Sequence, residues 1–124
     1  MRILSLDIGR RRTGVAFADD AINVPMALNT LHHRSVEQLV EQVGELIHEK
    51  SIDELLIGLP LLLSGIEGEQ VEFVRSCADQ LERFGLPIAF LDERYTTVKG
   101  GELDGDAVAA CDLLTTYLAQ RQHS

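Results

Sequence analysis

Three acidic residues stand where folding could bring their side chains together. Asp7 follows the largely apolar residues 3–6, Glu93 comes shortly after the apolar residues 87–91, and Asp106 begins a segment with helical periodicity. Carboxylates that converge repel one another unless a cation lies among them. Mg²⁺ and Mn²⁺ prefer oxygen ligands, and two such ions can activate a water and stabilise the leaving oxygen of a phosphodiester. The candidate catalytic residues and metal ligands are Asp7, Glu93 and Asp106.

A run of basic residues follows the first of these acids. Three consecutive arginines occupy a predicted tight turn directly after Asp7, in a chain with only 11 Lys and Arg residues. Guanidinium groups bind phosphate oxygens through paired hydrogen bonds, so the turn could hold substrate phosphate beside the metal ions. A solvated surface turn is the alternative interpretation. The residues assigned to nucleic-acid binding are Arg10, Arg11, Arg12, Arg94 and Lys99.

The same acids also have structural interpretations. An aspartate at the start of a helix is often its cap, although Asp104 competes with Asp106 for that role. Glu93 could form a surface ion pair with a neighbouring arginine, which would contribute little. The four histidines show no spacing typical of metal ligands, and they stay unassigned.

The periodicity of apolar residues predicts the elements that position these side chains. Alternating or continuous short apolar runs predict five strands, and apolar positions three and four residues apart predict three helices. Ser35 is the predicted cap of the first helix, and Gly85 is predicted to end the second. The predicted strands are residues 2–6, 13–18, 24–31, 54–59 and 87–91, and the predicted helices are residues 36–47, 67–84 and 106–120.

This order of elements predicts an α/β fold. The first three strands are close enough in sequence to form an antiparallel meander, whereas the later strands alternate with helices and must pair in parallel. The expected result is a mixed five-stranded sheet of order 3-2-1-4-5, with strand 2 antiparallel and helices on both faces. This arrangement resembles the ribonuclease H-like fold. Sites in such sheets lie at the carboxyl ends of parallel strands, where Asp7, Gly58 and Glu93 are expected.

Composition limits the classes of function. The 124 residues suit a single domain, residues 1–124, and no apolar run is long enough to span a membrane. No signal peptide is recognisable, so we expect a cytoplasmic protein without a membrane role. The formal net charge of −9 argues against broad, non-specific nucleic-acid binding. Cys77 and Cys111 lie in apolar helical stripes and are expected in the core.

Four motifs together resemble one family. "LDIGRRRTGVAFAD" is similar to the D-x-G-x-x-R-[IT]-G opening of the YqgF family, the Holliday-junction-resolvase-like pre-16S rRNA nucleases. "LIGLPLLLSGIEGEQ" is similar to its V-x-G-L-P-x-x-x-x-G-x-x-G segment, and "LDERYTTV" to its D-E-R-x-[ST]-T-V. "DAVAACDLLTTYL" is similar to its last helix. The motifs occur in the family's order and cover most of the chain.

The resemblance implies a ribonuclease H-like fold and a metal-dependent nuclease acting on structured nucleic acid. It implies Mg²⁺ or Mn²⁺ at Asp7, Glu93 and Asp106, with Arg12 as the motif arginine. The implied substrate is an rRNA precursor, with branched DNA as the alternative, in a monomer or weak homodimer that could also bind ribosomal partners.

One segment departs from the family pattern. Relatives usually have a longer, lysine- and arginine-rich connection before the last helix, whereas residues 99–105 here are glycine-rich and acidic. Losing basic residues removes phosphate contacts. A second hypothesis is therefore a non-catalytic member that binds RNA or ribosomal proteins. A third is nucleotide binding, because sugar kinases open with a similar D-x-G hairpin, but 124 residues leave no room for their second lobe.

Overall fold

The structure is a computed structural model that describes residues 1–60, 68–92 and 105–122. Within these ranges one sheet is flanked by three α-helices and one short 3₁₀ turn, Glu82–Phe84. The strands are β1 (Arg2–Ile8), β2 (Arg12–Asp19), β3 (Met26–Ala27), β4 (Leu31–His32), β5 (Glu54–Leu59) and β6 (Ile88–Asp92). The helices are α1 (Val36–Lys50), α2 (Glu69–Leu81) and α3 (Gly105–Gln122).

The sheet has the predicted mixed topology. Its order is β3-β2-β1-β5-β6, and β4 also pairs with β2. β2 runs antiparallel to β1, whereas β5 lies between β1 and β6 and pairs in parallel with both. The expected order and the antiparallel second strand are therefore confirmed, and β5 separates β1 from β6 as expected.

The predicted third strand, residues 24–31, is instead two short strands, so the sheet has six strands rather than five. Ala27 pairs with Ala16 and Leu31 pairs with Thr13, which leaves three residues, 28–30, opposite only Gly14 and Val15. One extra residue cannot be accommodated in a regular ladder, so the strand bulges and the pairing breaks. Periodicity does not reveal this because it depends on the register with β2.

Two apolar layers cover the two faces of the sheet. Alternate β1 residues, such as Leu4 and Leu6, are fully buried against α1 and α2, whereas Ile3 is buried on the α3 side. Helices on both faces are thus confirmed. Cys77 is fully buried, and Cys111 is partly buried against the α3 layer.

The helix ends follow the predicted signals. The Ser35 hydroxyl accepts a hydrogen bond from the Gln38 backbone N–H at 3.1 Å and caps α1. Gly85 adopts φ 70° after the 3₁₀ turn, a conformation that suits glycine. No helix among the described residues has the length and apolar composition needed to cross a bilayer.

Candidate metal and nucleic-acid site

A buried hydrogen bond aligns β1 with α3 and determines where Asp7 and Asp106 lie. The Ser5 hydroxyl donates to the Ala110 carbonyl at 2.9 Å. Asp7 is two residues further along β1, about 6.6 Å, and Asp106 is four residues earlier in α3, about 6 Å. Because α3 is antiparallel to β1, moving forward along β1 and backward along α3 leads in the same direction. The two distances are nearly equal, so both acids lie at the same end of the strand.

The direction of α3 is fixed by a second polar contact at its other end. The Tyr117 hydroxyl donates to the carboxylate of Glu54, which is the β5 residue paired with Ile3 near the start of β1. Glu54 is 7% exposed, and the Arg121 guanidinium lies 3.8 Å from its other oxygen. Burial and the hydrogen bond to Glu54 raise the pKa of Tyr117 to about 12. Ser5 and Glu54 therefore hold α3 at two points.

The backbones of both acidic residues lie next to Gly14. It pairs with Asp7 across the antiparallel β1–β2 ladder, so the two backbones are adjacent. A Cβ atom at this position would lie 1.9 Å from the Asp106 carbonyl oxygen and 2.4 Å from its carbonyl carbon. The first turn of α3 thus rests directly on the β2 backbone, which only glycine permits.

Arg12 supplies positive charge at this point. Its Nε lies 3.4 Å from Oδ2 of Asp106, and the Gly9 N–H donates to the Arg12 carbonyl at 2.9 Å to close the turn. The Arg12 side chain is 64% exposed, so the ion pair is solvated and adds little stability. A guanidinium that is exposed and weakly held can exchange for another cation.

The donor set fits a hard divalent ion. Asp7 and Asp106 offer carboxylate oxygens, the ligand type that Mg²⁺ and Mn²⁺ prefer, and the Arg12 guanidinium occupies a position where positive charge is already favoured. Residues 1–60, 68–92 and 105–122 hold no group of three metal-binding side chains. The third predicted ligand, Glu93, lies outside the described residues, as do Arg94, Lys99 and the competing cap Asp104.

Asp7 lies within β1 rather than after it, because the pairing with β2 continues to Ile8 and Thr13. Gly58 occupies the neighbouring position in β5, where it pairs with Leu91 of β6. No side chain at this position of β5 therefore fills the space beside Asp7 at this edge of the sheet.

The three arginines of the turn have different surroundings. Arg10 stacks its guanidinium over the Phe73 ring of α2, 4.7 Å from the ring centroid. Arg12 contacts Asp106 on the α3 side. Arg11 and Arg12 also line a surface groove with His32, His33, Arg34 and Gln38.

Sequence reasoning left His33 unassigned, yet it is 4% exposed directly beneath the arginine turn. Its Nε2 is 2.8 Å from the Thr13 hydroxyl, and its backbone N–H donates to the Arg11 carbonyl at 3.0 Å. Burial, and to a lesser extent the neighbouring His32, lower the pKa of His33 below its usual value. No spacing rule predicts this contact, because it follows from the irregular return of the chain from β3 to β4.

Comparison with known proteins gives a consistent result. The family model described as "RuvX: Holliday junction resolvase" matches residues 1–120. A pre-16S rRNA nuclease, so named, from Moorella thermoacetica is 38% identical over 104 residues, which cover 83% of this chain and 74% of that protein. One of the same name from Chloroflexus aurantiacus is 32% identical over 134 residues, covering 97% of this chain and 88% of the relative.

Solved structures share the fold at low identity. RuvC of T. thermophilus, in complex with Holliday junction substrate, aligns with a TM-score of 0.70 and 11% identity, covering 98% of this chain and 96% of that one. The yeast mitochondrial Holliday junction resolvase Ydc2 aligns with a TM-score of 0.54 and 16% identity over 98% of this chain and 80% of that one. At these identities the likeness shows the ribonuclease H-like fold.

Proposed function

Because this chain belongs to the RuvX Holliday junction resolvase family, we propose that it is a metal-dependent nuclease that hydrolyses phosphodiester bonds in structured nucleic acid. The observation that carries the proposal is the meeting of Asp7 and Asp106 at Gly14, fixed by the Ser5–Ala110 hydrogen bond. Two acids held at the end of a parallel strand, with an arginine beside them, suit phosphodiester hydrolysis better than a purely structural role.

Each residue then has a defined task. Asp7 and Asp106, joined by Glu93, hold Mg²⁺ or Mn²⁺, and we propose two such ions. When bound, such ions supply a water of lowered pKa and positive charge for the leaving oxygen. Arg12, whose exposed guanidinium lies beside Asp106, would bind a substrate phosphate next to the acids. Gly14 keeps the two carboxylates at a fixed spacing.

The favoured substrate is a precursor of 16S rRNA, processed during ribosome assembly in the cytoplasm. The names of the relatives from M. thermoacetica and C. aurantiacus support this choice. Branched DNA is the second candidate, supported by the fold shared with the RuvC–junction complex. A non-catalytic RNA-binding role, which the acidic residues 99–105 suggest, predicts binding without cleavage.

Cleavage assays with matched carboxylate variants test the proposal. Wild type is incubated with Mn²⁺ and either an RNA that spans a 16S rRNA terminus or a four-way DNA junction. Asp7→Asn and Asp106→Asn each remove one negative charge from the site, whereas Asp79→Asn removes one from the exposed surface of α2. We expect cleavage by wild type and Asp79→Asn, and a loss of at least about 100-fold in the two site variants, as expected when transition-state charge stabilisation is removed. Equal rates in all four proteins would contradict the proposal.

The same assay distinguishes between the two candidate substrates. Preference for the RNA over the junction supports rRNA processing, and the reverse preference supports junction resolution. Binding of the RNA without cleavage in Mn²⁺ or Mg²⁺ would replace the nuclease by the non-catalytic binding role.

A further inference from the structure

A basic groove shares Arg12 with the candidate metal site, where Arg12 contacts Asp106. It has a volume of about 430 Å³, and no acidic residue lines it. This is unusual in a chain with a formal net charge of −9. The groove is lined by Arg11, Arg12, His32, His33, Arg34 and Gln38.

The groove is built on fixed backbone. Arg12 pairs with His32 in the β2–β4 ladder, and the His33 N–H donates to the Arg11 carbonyl. The Arg34 N–H donates to the Gln38 side chain at 2.7 Å as part of the α1 cap. Three chain segments therefore fix the backbone from which the basic side chains extend, which lowers the entropy lost when an anion binds.

An unpartnered buried atom lies in the groove wall. Nδ1 of His33 is buried, and it has no hydrogen-bond partner among the described residues, whereas Nε2 is paired with Thr13. Buried polar atoms nearly always have a partner. A water buried beside the ring would satisfy this nitrogen.

We infer that this groove binds the phosphodiester backbone of the nucleic-acid substrate next to the cleavage site. Arg11 and Arg34 are exposed and carry the charge, while Arg12 reaches both the groove and Asp106 and so connects the two sites. Arg10 is excluded from this role because it stacks on Phe73. The inference rests on the proposed function for the identity of the polymer, but it concerns binding and not cleavage.

The salt dependence of nucleic-acid binding, measured without divalent ions, tests whether the groove binds the phosphodiester backbone. Anisotropy of a labelled four-way DNA junction and of a labelled RNA hairpin is followed in EDTA for wild type, Arg11→Gln/Arg34→Gln and Arg75→Gln/Arg83→Gln. The second double variant loses the same charge from α2 and the adjoining 3₁₀ turn, away from the groove. Each phosphate contact contributes about 0.9 to the slope of log K against log salt concentration in duplex DNA. We therefore expect the groove variant to lower the slope for the junction by about 1.8, and to weaken binding at least about tenfold in about 0.1 M salt.

Every outcome bears on the inference. A groove variant that binds like wild type, an equal loss in both double variants, or no binding of either probe by wild type would overturn it. Binding of an acidic polypeptide in place of both nucleic acids would also overturn it. Because the binding assay contains no metal, it is independent of cleavage. A wild type that shows the expected slopes in EDTA but does not cleave in the separate Mn²⁺ assay would refute the proposed function and leave the groove intact. Melting curves of both variants confirm that they fold.

Discussion

Substituting Gly14 by alanine tests how the two acids are brought together. The added Cβ would meet the carbonyl oxygen, carbonyl carbon and Cα of Asp106 at 1.9, 2.4 and 3.0 Å, and all three are backbone atoms that cannot rotate away. Ordinary contact begins near 3.4 Å, so the first turn of α3 must move away by about 1.5 Å. That displacement would break the 2.9 Å hydrogen bond from Ser5 to Ala110.

The energetic cost has two parts. Overpacking costs about 1–3 kcal/mol, and an unsatisfied buried hydroxyl or carbonyl costs about 1–3 kcal/mol more. We expect Gly14→Ala to lose about 2–6 kcal/mol of unfolding free energy, which lowers Tm by roughly 6–30 °C at about 3–5 °C per kcal/mol for a domain of this size. We also expect the cleavage rate to fall about 100-fold, because displacing a catalytic group by about 1 Å can lower the rate by about this factor.

Two glycine variants serve as controls. At Gly105, next to Asp106, a Cβ meets nothing within 4 Å, so Gly105→Ala should leave both stability and cleavage close to wild type. At Gly44 a Cβ lies 2.8 Å from the end of the Phe84 ring, a side chain that can give way. Gly44→Ala should therefore destabilise slightly while keeping activity below its melting range. A Gly14→Ala protein that melts and cleaves like wild type would refute the contact between α3 and β2.

Two further predictions concern pH. The pKa of Tyr117 is raised to about 12, so its contribution to stability is full below about pH 10 and is lost as the pH rises toward 12. Absorbance titration of the Tyr95→Phe variant, in which Tyr117 is the only tyrosine, measures this pKa. An apparent pKa near 10 would contradict the prediction. The pKa of His33 is lowered below 6.5, so the unfolded chain binds the proton first and stability is lost as the pH falls through and below about 6.5. Urea unfolding at pH 7.5 and 5 should show a smaller loss in His33→Gln than in wild type, and equal losses would count against the buried neutral ring.

The fold and part of the candidate site could be predicted from the sequence for physical reasons. The long amphipathic stripes and the strand ends follow from local patterns, the strand-end rule predicts Asp7 and Glu93 at one edge of the sheet, and helical periodicity predicts Asp106 at the start of the last helix. The contact between Gly14 and Asp106 could not be predicted from those patterns, because it depends on how closely α3 approaches β2, which lies about 90 residues earlier in the chain. The bulge at residues 28–30 and the burial of His33 likewise depend on register between segments.

The roles of the three arginines show the same limit. Their charge and their place after Asp7 are visible in the sequence, and a common phosphate contact was the natural prediction. The direction of each side chain is set by its neighbour in space, Phe73 for Arg10 and Asp106 for Arg12. With Arg10 on Phe73, the groove that we propose for phosphate is lined by Arg11, Arg12 and Arg34.

The most direct test of the central claim is an anomalous-scattering map from crystals soaked in Mn²⁺. We expect a manganese peak bonded to carboxylate oxygens of both Asp7 and Asp106, with the Arg12 guanidinium no longer on Asp106. The peak should be absent from crystals of Asp7→Asn. A fully soaked wild-type crystal without manganese on these two residues, and with Arg12 still paired to Asp106, would contradict the claim that they form a metal site.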